Sequence, residues 1–354
     1  MGVRSIVAKA LTNSDIAELL AREADSNIGI LARAFRRAAR SAFLWPEQVR
    51  DLLAANRELT ELHGVGPFIT KQIHRWIDNP PELPLKVPAI RRDFLALADA
   101  RKLLRQTASW PNLVRGDLQM HTRWSDGSGT VTDMAVAARE RGYEYIAITD
   151  HSEGAWSSRT LSAEAVPRQR QEIESLRQKI AGIEILHGVE VDIMGDGNLD
   201  FEDTLLEGFD IVLASLHDAC NQAGPQLTER YLKAIHHPFV NVITHPANRS
   251  PAHTTGFDVD FDALFAAAAA TGTAMEIDGA PGHLDMDGAL ARKAVAAGVR
   301  VTIDSDCHRA EWLARQMRFG VGTARRGWIE PRHVLNSGSV DDVRAFVARK
   351  RSRG

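Results

Sequence analysis

The chain has 354 residues, 44% of them apolar and 25% charged, with a net charge of −3. That length suits one large domain with a smaller one beside it, and the apolar content is ample for a buried core. No apolar run reaches a membrane span, the opening MGVRSIVAKALTNSD lacks a signal-peptide pattern, and two cysteines, Cys220 and Cys307, are too few for a disulfide framework, so a cytoplasmic protein is expected.

The charge is unevenly spread. Residues 1–115 hold 18 Lys and Arg against 12 Asp and Glu, while the rest holds 25 against 34. A basic small domain joined to an acidic one suggests a polyanion grip beside a cation-loaded site.

The first elements in chain order are helices. Residues 14–24 carry Ile16, Leu19 and Leu20 at helical spacing, with Asp15 and Glu18 in the first turn. Residues 30–43 follow, with Arg33, Arg36, Arg37 and Arg40 set between Leu31, Phe35 and Ala39. Pro46 opens a third segment through Val49, Leu52 and Leu53. Then LTELHGVGPFITKQIHRWI (59–77) predicts two short amphipathic helices joined at Gly64-Val65-Gly66. Glycines there let the backbone come close to a phosphate, with the second helix's N–H groups facing it and Lys71 about a turn further on. This stretch resembles a helix-hairpin-helix, a non-sequence-specific binder of the DNA backbone. The proline-rich run 79–88 interrupts helix, 90–106 reads as helix again, and Trp110-Pro111 precedes the first strand. The expected layout is a helical domain over 1–78, a linker with a helix over 79–114 and an α/β barrel over 115–348.

Within that last region, seven short apolar stretches each end in a metal-ligand residue type: DLQMHT, YIAITDH, IEILHGVEVD, DIVLASLHD, VNVITHP, AMEID and VRVTIDSDCH. All but the first follow a helical segment, the pattern of a parallel barrel whose chemistry gathers at the C-terminal strand ends. The candidates brought there are Gln119, His121, Asp126, Asp150, His151, Glu190, His217, His245, Asp306 and His308. Residues two apart on a strand share a face, so Gln119 should point with His121 and Asp306 with His308. Imidazole nitrogens with carboxylate oxygens suit Zn, Mn or Fe. Cys307 is expected to pack away from the site. His187, His236, His237, His253, His283 and His333 fall outside the pattern, as surface positions or supports behind the ligands.

Residues 115–348 resemble a PHP (polymerase and histidinol phosphatase) domain, most of all that of bacterial family X DNA polymerases. The shared motifs are GDLQMHTRWSDG, ITDHS, GVEVDI, SLH, THP, MEIDG, DSDCH and VGTARRGWIEPRHVLN. Residues 30–77 resemble the same polymerases' helix-hairpin-helix region, and about 40 residues between Ile77 and the first strand leave no room for a polymerase palm. The resemblance implies a distorted (β/α)7 barrel holding two to three metals. One position would use His121, Glu190 and Asp306 with Gln119 nearby; a second, Glu190, His217 and His245; a third, Asp126, His151 and His308. Many members have His where this chain has Gln119, which puts the first position's affinity in question.

Such a centre hydrolyses phosphate esters without a Ser or Cys nucleophile. The expected catalytic groups are His121, Glu190, Asp306 and Asp150, with Arg123 and Arg249 meeting substrate phosphate, and Gly64, Val65, Gly66 and Lys71 meeting DNA. The function expected is a DNA-repair phosphoesterase: 3′-phosphatase, 3′–5′ exonuclease or abasic-site endonuclease. The rivals are a small-molecule phosphatase of the histidinol-phosphatase type and a DNA-binding adaptor without catalysis.

Overall fold

The computed structural model describes residues 11–106, 114–155, 157–251 and 254–352, the Ile90 side chain apart. The chain divides into two compact units, Met1–Lys102 and Leu103–Gly354.

In the first unit, helix α1 (Asn13–Ser26) starts at a reciprocal cap, in which the Asp15 N–H donates to Thr12 Oγ1 and the Thr12 N–H to the Asp15 carboxylate. Helices α2 (Gly29–Leu44) and α3 (Val49–Ala54) follow. Ile16, Leu20, Phe35, Ala38 and Leu52 share one apolar core with Leu59, Val65, Ile69 and Ile73. The first arm of the predicted hairpin is shorter than expected, a single 3-10 turn at Leu59–Glu61. The second is a full helix, α4 (Pro67–Asp78), with Gly66 as its N-cap and Pro67 in its first turn. The proline-rich run is not free: Leu83 and Leu85 pack on this core, and Arg22 donates to the Lys86 carbonyl at 2.7 Å. The stretch expected as one helix over 90–106 is broken. A 3-10 turn at Ala89–Arg91 and a left-handed Asp93 (φ 64°) precede helix α5 (Leu97–Arg105). Trp110 and Pro111 lie outside the described residues.

The second unit is the expected α/β barrel. Strands β1 (Gly116–Met120), β2 (Tyr145–Ile148), β3 (Glu184–Asp192), β4 (Ile211–Ser215), β5 (Val242–Ile243), β6 (Ala274–Asp278) and β7 (Val301–Asp304) pair in sequence order, every pair parallel. The connections carry α6 (Val131–Glu140), α7 (Val166–Lys179), α8 (Asp203–Leu206), α9 (Gly224–His236), α10 (Phe261–Thr271) and α11 (Gly288–Ala296); α12 (Leu313–Arg326) and α13 (Val340–Arg351) follow the last strand. Met120 bridges Cys307, and the His121 N–H donates to the Cys307 carbonyl at 2.9 Å, so the sheet nearly closes on itself.

Early strand positions, Tyr145, Ala147, Ile211, Leu213, Val242 and Ala274, form an apolar cluster with Val343, Phe346 and Val347 of α13. This plugs the N-terminal end of the barrel. The buried histidines and acids that cluster most densely lie toward the other end, where the strands stop.

Candidate metal centre

Glu190 stands at the middle of the polar end. It is fully buried on β3, and four imidazoles converge on its two oxygens. His121 Nε2 and His151 Nδ1 lie 3.3 and 3.2 Å from Oε2; His245 Nε2 and His217 Nε2 lie 3.1 and 3.6 Å from Oε1. Burial alone would raise this carboxyl's pKa, but His151, the hydrogen bond from His245 and the charge of His217 outweigh it and hold the group well below the usual carboxylate range.

Around it the expected residues gather. His121 Nε2 also meets Asp306 at 3.0 Å. Asp126 Oδ1 lies 3.1 Å from His308 Nε2 and 3.7 Å from His151 Nε2. His121 stacks between His151 and His308, with ring centroids 4.3 Å apart on each side. Burial works against a charged His308, yet Asp306 and then Asp126 push its pKa up to about 10. His151, by contrast, is driven down to about 3, chiefly by burial.

Several of these atoms are buried without a hydrogen-bond partner: both ring nitrogens of His121, Nδ1 of His151 and Nδ1 of His245. Buried imidazole nitrogens are normally satisfied, and leaving them unpaired costs about 1–3 kcal/mol each. A divalent cation would satisfy those that face the central acids, His121 Nε2 and His151 Nδ1, and these are the donor types such cations take. Three groups among the described residues have donor atoms close enough to share an ion, and two of them lie here, His121–Asp126–His151–His308 and His151–Glu190–His217. The residues present fit a metal.

The loops explain the placement. After β1 the chain turns back so tightly that a Cβ on Gly127 would fall 2.3 Å from the His121 carbonyl oxygen. The Asp150 carboxylate holds this loop: it accepts from the Thr122 and Ser125 N–H groups at 2.7 and 3.1 Å, from both hydroxyls, and from Gln169 at 2.7 Å. Asp150 thus positions Asp126 through the loop. Asp306 and His308 differ from expectation. β7 ends at Asp304, and Asp306 sits beyond it at φ 47°, so a turn, and not strand alternation, aims the pair. Cys307 is buried in the apolar core, as expected.

Gln119 is engaged at both ends of its amide. Its NH2 faces Glu190 Oε2 at 3.1 Å and its oxygen accepts from Thr244 at 2.7 Å, so it braces the central carboxylate. Arg249 is buried and donates to Asp287 at 3.0 Å, while Arg123 is exposed. In the hairpin Val65 is buried, Gly64 half-buried, and Gly66 and Lys71 exposed.

Asp192 is absent from the sequence reading, and two of the histidines set outside its pattern, His187 and His283, prove to be supports and not surface positions. Asp192 holds His217 Nδ1 at 2.9 Å, which its spacing of two from Glu190 could have signalled. His187 is buried against Gln169, Nε2 to Oε1 at 3.0 Å. His283 stacks on His245, centroids 4.8 Å apart. His236, His237 and His333 are remote from these contacts, and His253 lies outside the described residues.

A nearly closed seven-stranded parallel barrel with this centre defines a class of metal-binding α/β proteins, and comparison with known proteins agrees on which. The PHP domain model matches residues 117–248. A protein from Thermoanaerobacter sp. (strain X514), named a probable phosphatase, is 32% identical over 248 residues, 67% of this chain and 96% of its own length. The DNA polymerase/3′-5′ exonuclease PolX of Bacillus subtilis is 38% identical over 270 residues, 75% of this chain, but the match spans only 46% of that protein. Among solved structures, histidinol phosphate phosphatase from Lactococcus lactis, complexed with zinc, L-histidinol and phosphate, superposes with a TM-score of 0.46 at 19% identity, covering 61% of this chain and 95% of that one. The chain belongs to the PHP family.

Proposed function

We propose that the protein is a metal-dependent phosphoesterase that hydrolyses phosphate esters of DNA, at a 3′ end or at an abasic site. The observation that carries the chemistry is Glu190, one buried carboxylate met by four imidazoles, some with ring nitrogens that have no other partner. Divalent cations held there would supply hydroxide at neutral pH and offset charge on the phosphoryl oxygens. Glu190 would join the positions on either side of it, Asp192 keeps the His217 ring in register, and Gln119 holds Glu190 in place. Arg123, exposed just past His121, is the cationic side chain set to meet the substrate phosphoryl group.

The DNA part of the reading is supported by one of the two hairpin glycines. Gly64 is demanded by the fold: its φ is 78°, and a Cβ would fall 2.7 Å from Ser41 Oγ. Gly66 is not. Its φ of −98° suits any residue, and a Cβ would meet nothing within 4 Å. A glycine that neither backbone nor neighbours require, exposed at the start of α4, suits close approach by something outside the chain, and a phosphate is what that geometry favours.

A second reading, a small-molecule phosphatase, draws on the match to the probable phosphatase along nearly its whole length. One panel decides: the Mn- or Zn-loaded protein assayed on 3′-phosphate DNA, abasic DNA, a plain recessed 3′ end and histidinol phosphate. Turnover of histidinol phosphate alone would overturn the DNA reading.

A further inference from the structure

Strand β6 ends in Asp278, and the turn after it carries His283. Neither belongs to the two histidine-rich groups around Glu190. Asp278 is fully buried. Its Oδ1 accepts from the Ala280 N–H at 2.5 Å, but Oδ2 has no hydrogen-bond partner, and neither has His283 Nδ1. One donor atom from each of Asp278, His283 and Asp306 lies within 4.8 Å of the others. Within 4.0 Å, however, no ion pair or hydrogen bond joins the His283 ring to either carboxylate among the described residues. The three side chains therefore border a common gap and do not satisfy one another. Stacking on His245, at 14° between ring planes, fixes the His283 ring there.

Burial, and then the acids Asp306, Glu276 and Asp285, disfavour the charged form of Asp278. A buried carboxyl among acids, with an open oxygen, is costly in its charged form unless something positive is bound.

We infer that Asp278, His283 and Asp306 bind a divalent cation of their own, at a position distinct from the histidine-rich groups and linked to them through Asp306. Two carboxylate oxygens and one imidazole nitrogen suit Mn, Fe or Zn, whereas Mg and Ca favour oxygen alone. Because Asp306 also touches His121, filling either position orients the carboxylate for the other. The inference rests on the metal-dependent reading above, but not on the choice of substrate.

The test counts metal and uses no substrate, so it can fail while the hydrolytic reading stands, and the reverse. The full chain is stripped with chelator and titrated with Mn2+ by calorimetry, and the retained metal is counted after desalting. Asp278→Asn and His283→Gln are each expected to bind one equivalent fewer than the parent, or to weaken one class of site at least tenfold. Asp126→Asn should remove a different equivalent, so that Asp126→Asn combined with His283→Gln loses two. Circular dichroism of the stripped proteins checks the fold. If Asp278→Asn fails to fold, the half-buried His283 position decides. Parental stoichiometry with affinity within twofold in the folded variants overturns the inference.

Discussion

The two units bury polar groups in opposite ways. In the helical unit the buried carboxylate and amide side chains among the described residues are matched. Glu18 takes Arg91 at 2.8 Å and Arg22 at 2.9 Å; Asn13 caps Val49 and donates to the Glu47 carbonyl; Gln48 reaches Asp99. In the barrel, buried histidines and acids crowd together with ring nitrogens and carboxylate oxygens left unmatched. Satisfied burial serves folding alone. Unsatisfied burial, repeated around one carboxylate, is stability given up for binding.

Metal removal should break the comparison most sharply. Chelation is expected to reduce phosphoesterase activity to background, and Mn2+ or Zn2+ to restore it. The barrel's thermal transition should fall on stripping, since bound ligand stabilises the state that binds it, while the helical unit's transition stays put. Full hydrolysis by stripped protein, with metal content checked, would remove the basis for the proposed function.

Next comes the contrast inside the centre. Glu190→Ala takes away the group on which four imidazoles converge, and activity should drop towards the stripped level. Gln119→Ala removes only a brace, for which roughly 10- to 100-fold is the usual scale. Equal losses at equal metal content would reject the central role of Glu190. Gln119→His should tighten metal binding without abolishing activity.

The strand ends were legible because a ligand residue after each apolar stretch is a pattern along one dimension. Glu190, His217 and His245 needed only that. Asp306 and His308 were found for the wrong reason, since the strand stops at Asp304 and a left-handed turn does the aiming. Asp278 and His283 were missed because their relation to Asp306 depends on how the β6 turn folds over the barrel mouth, which spacing does not encode. The break at Asp93 and the shortened first arm of the hairpin escaped for a similar reason: apolar periodicity locates a helix's buried face, not where the backbone leaves the helix.

A smaller effect separates structural histidines from the centre. Burial, and then the Arg170 guanidinium, lower the His187 pKa to about 3, so the folded chain keeps this ring neutral. The unfolded chain protonates it near its ordinary value of about 6.5. Between those values the unfolded state binds a proton that the folded state refuses. His187 therefore costs stability as pH falls through that window, at roughly 1.4 kcal/mol per unit, and nothing above it. Urea unfolding of the stripped protein from pH 7 to pH 4 should show a shallower acid slope in His187→Gln than in the parent. Identical slopes would mean that the ring is charged in the folded chain.

The mildest change expected in the fold is the one that tests DNA binding most cleanly. Gly66→Ala adds a methyl group that meets nothing and asks for no unusual φ, and in helix-capping positions glycine and alanine differ by about 1 kcal/mol, so the fold should hold. If a phosphate backbone lies against that residue, the same methyl group occupies its place, and affinity for long duplex DNA should fall several-fold. Gly64→Ala is the contrasting variant, because left-handed φ and the contact with Ser41 should cost it stability first. Lys71→Ala should flatten the salt dependence of binding by about one unit of slope if its charge meets one phosphate. Affinities at two salt concentrations, set beside the melting temperatures, separate the outcomes. Loss of DNA affinity at position 66 without loss of stability supports the proposed contact. Unchanged affinity in both Gly66→Ala and Lys71→Ala would mean that this hairpin does not grip DNA, whatever the metal centre hydrolyses.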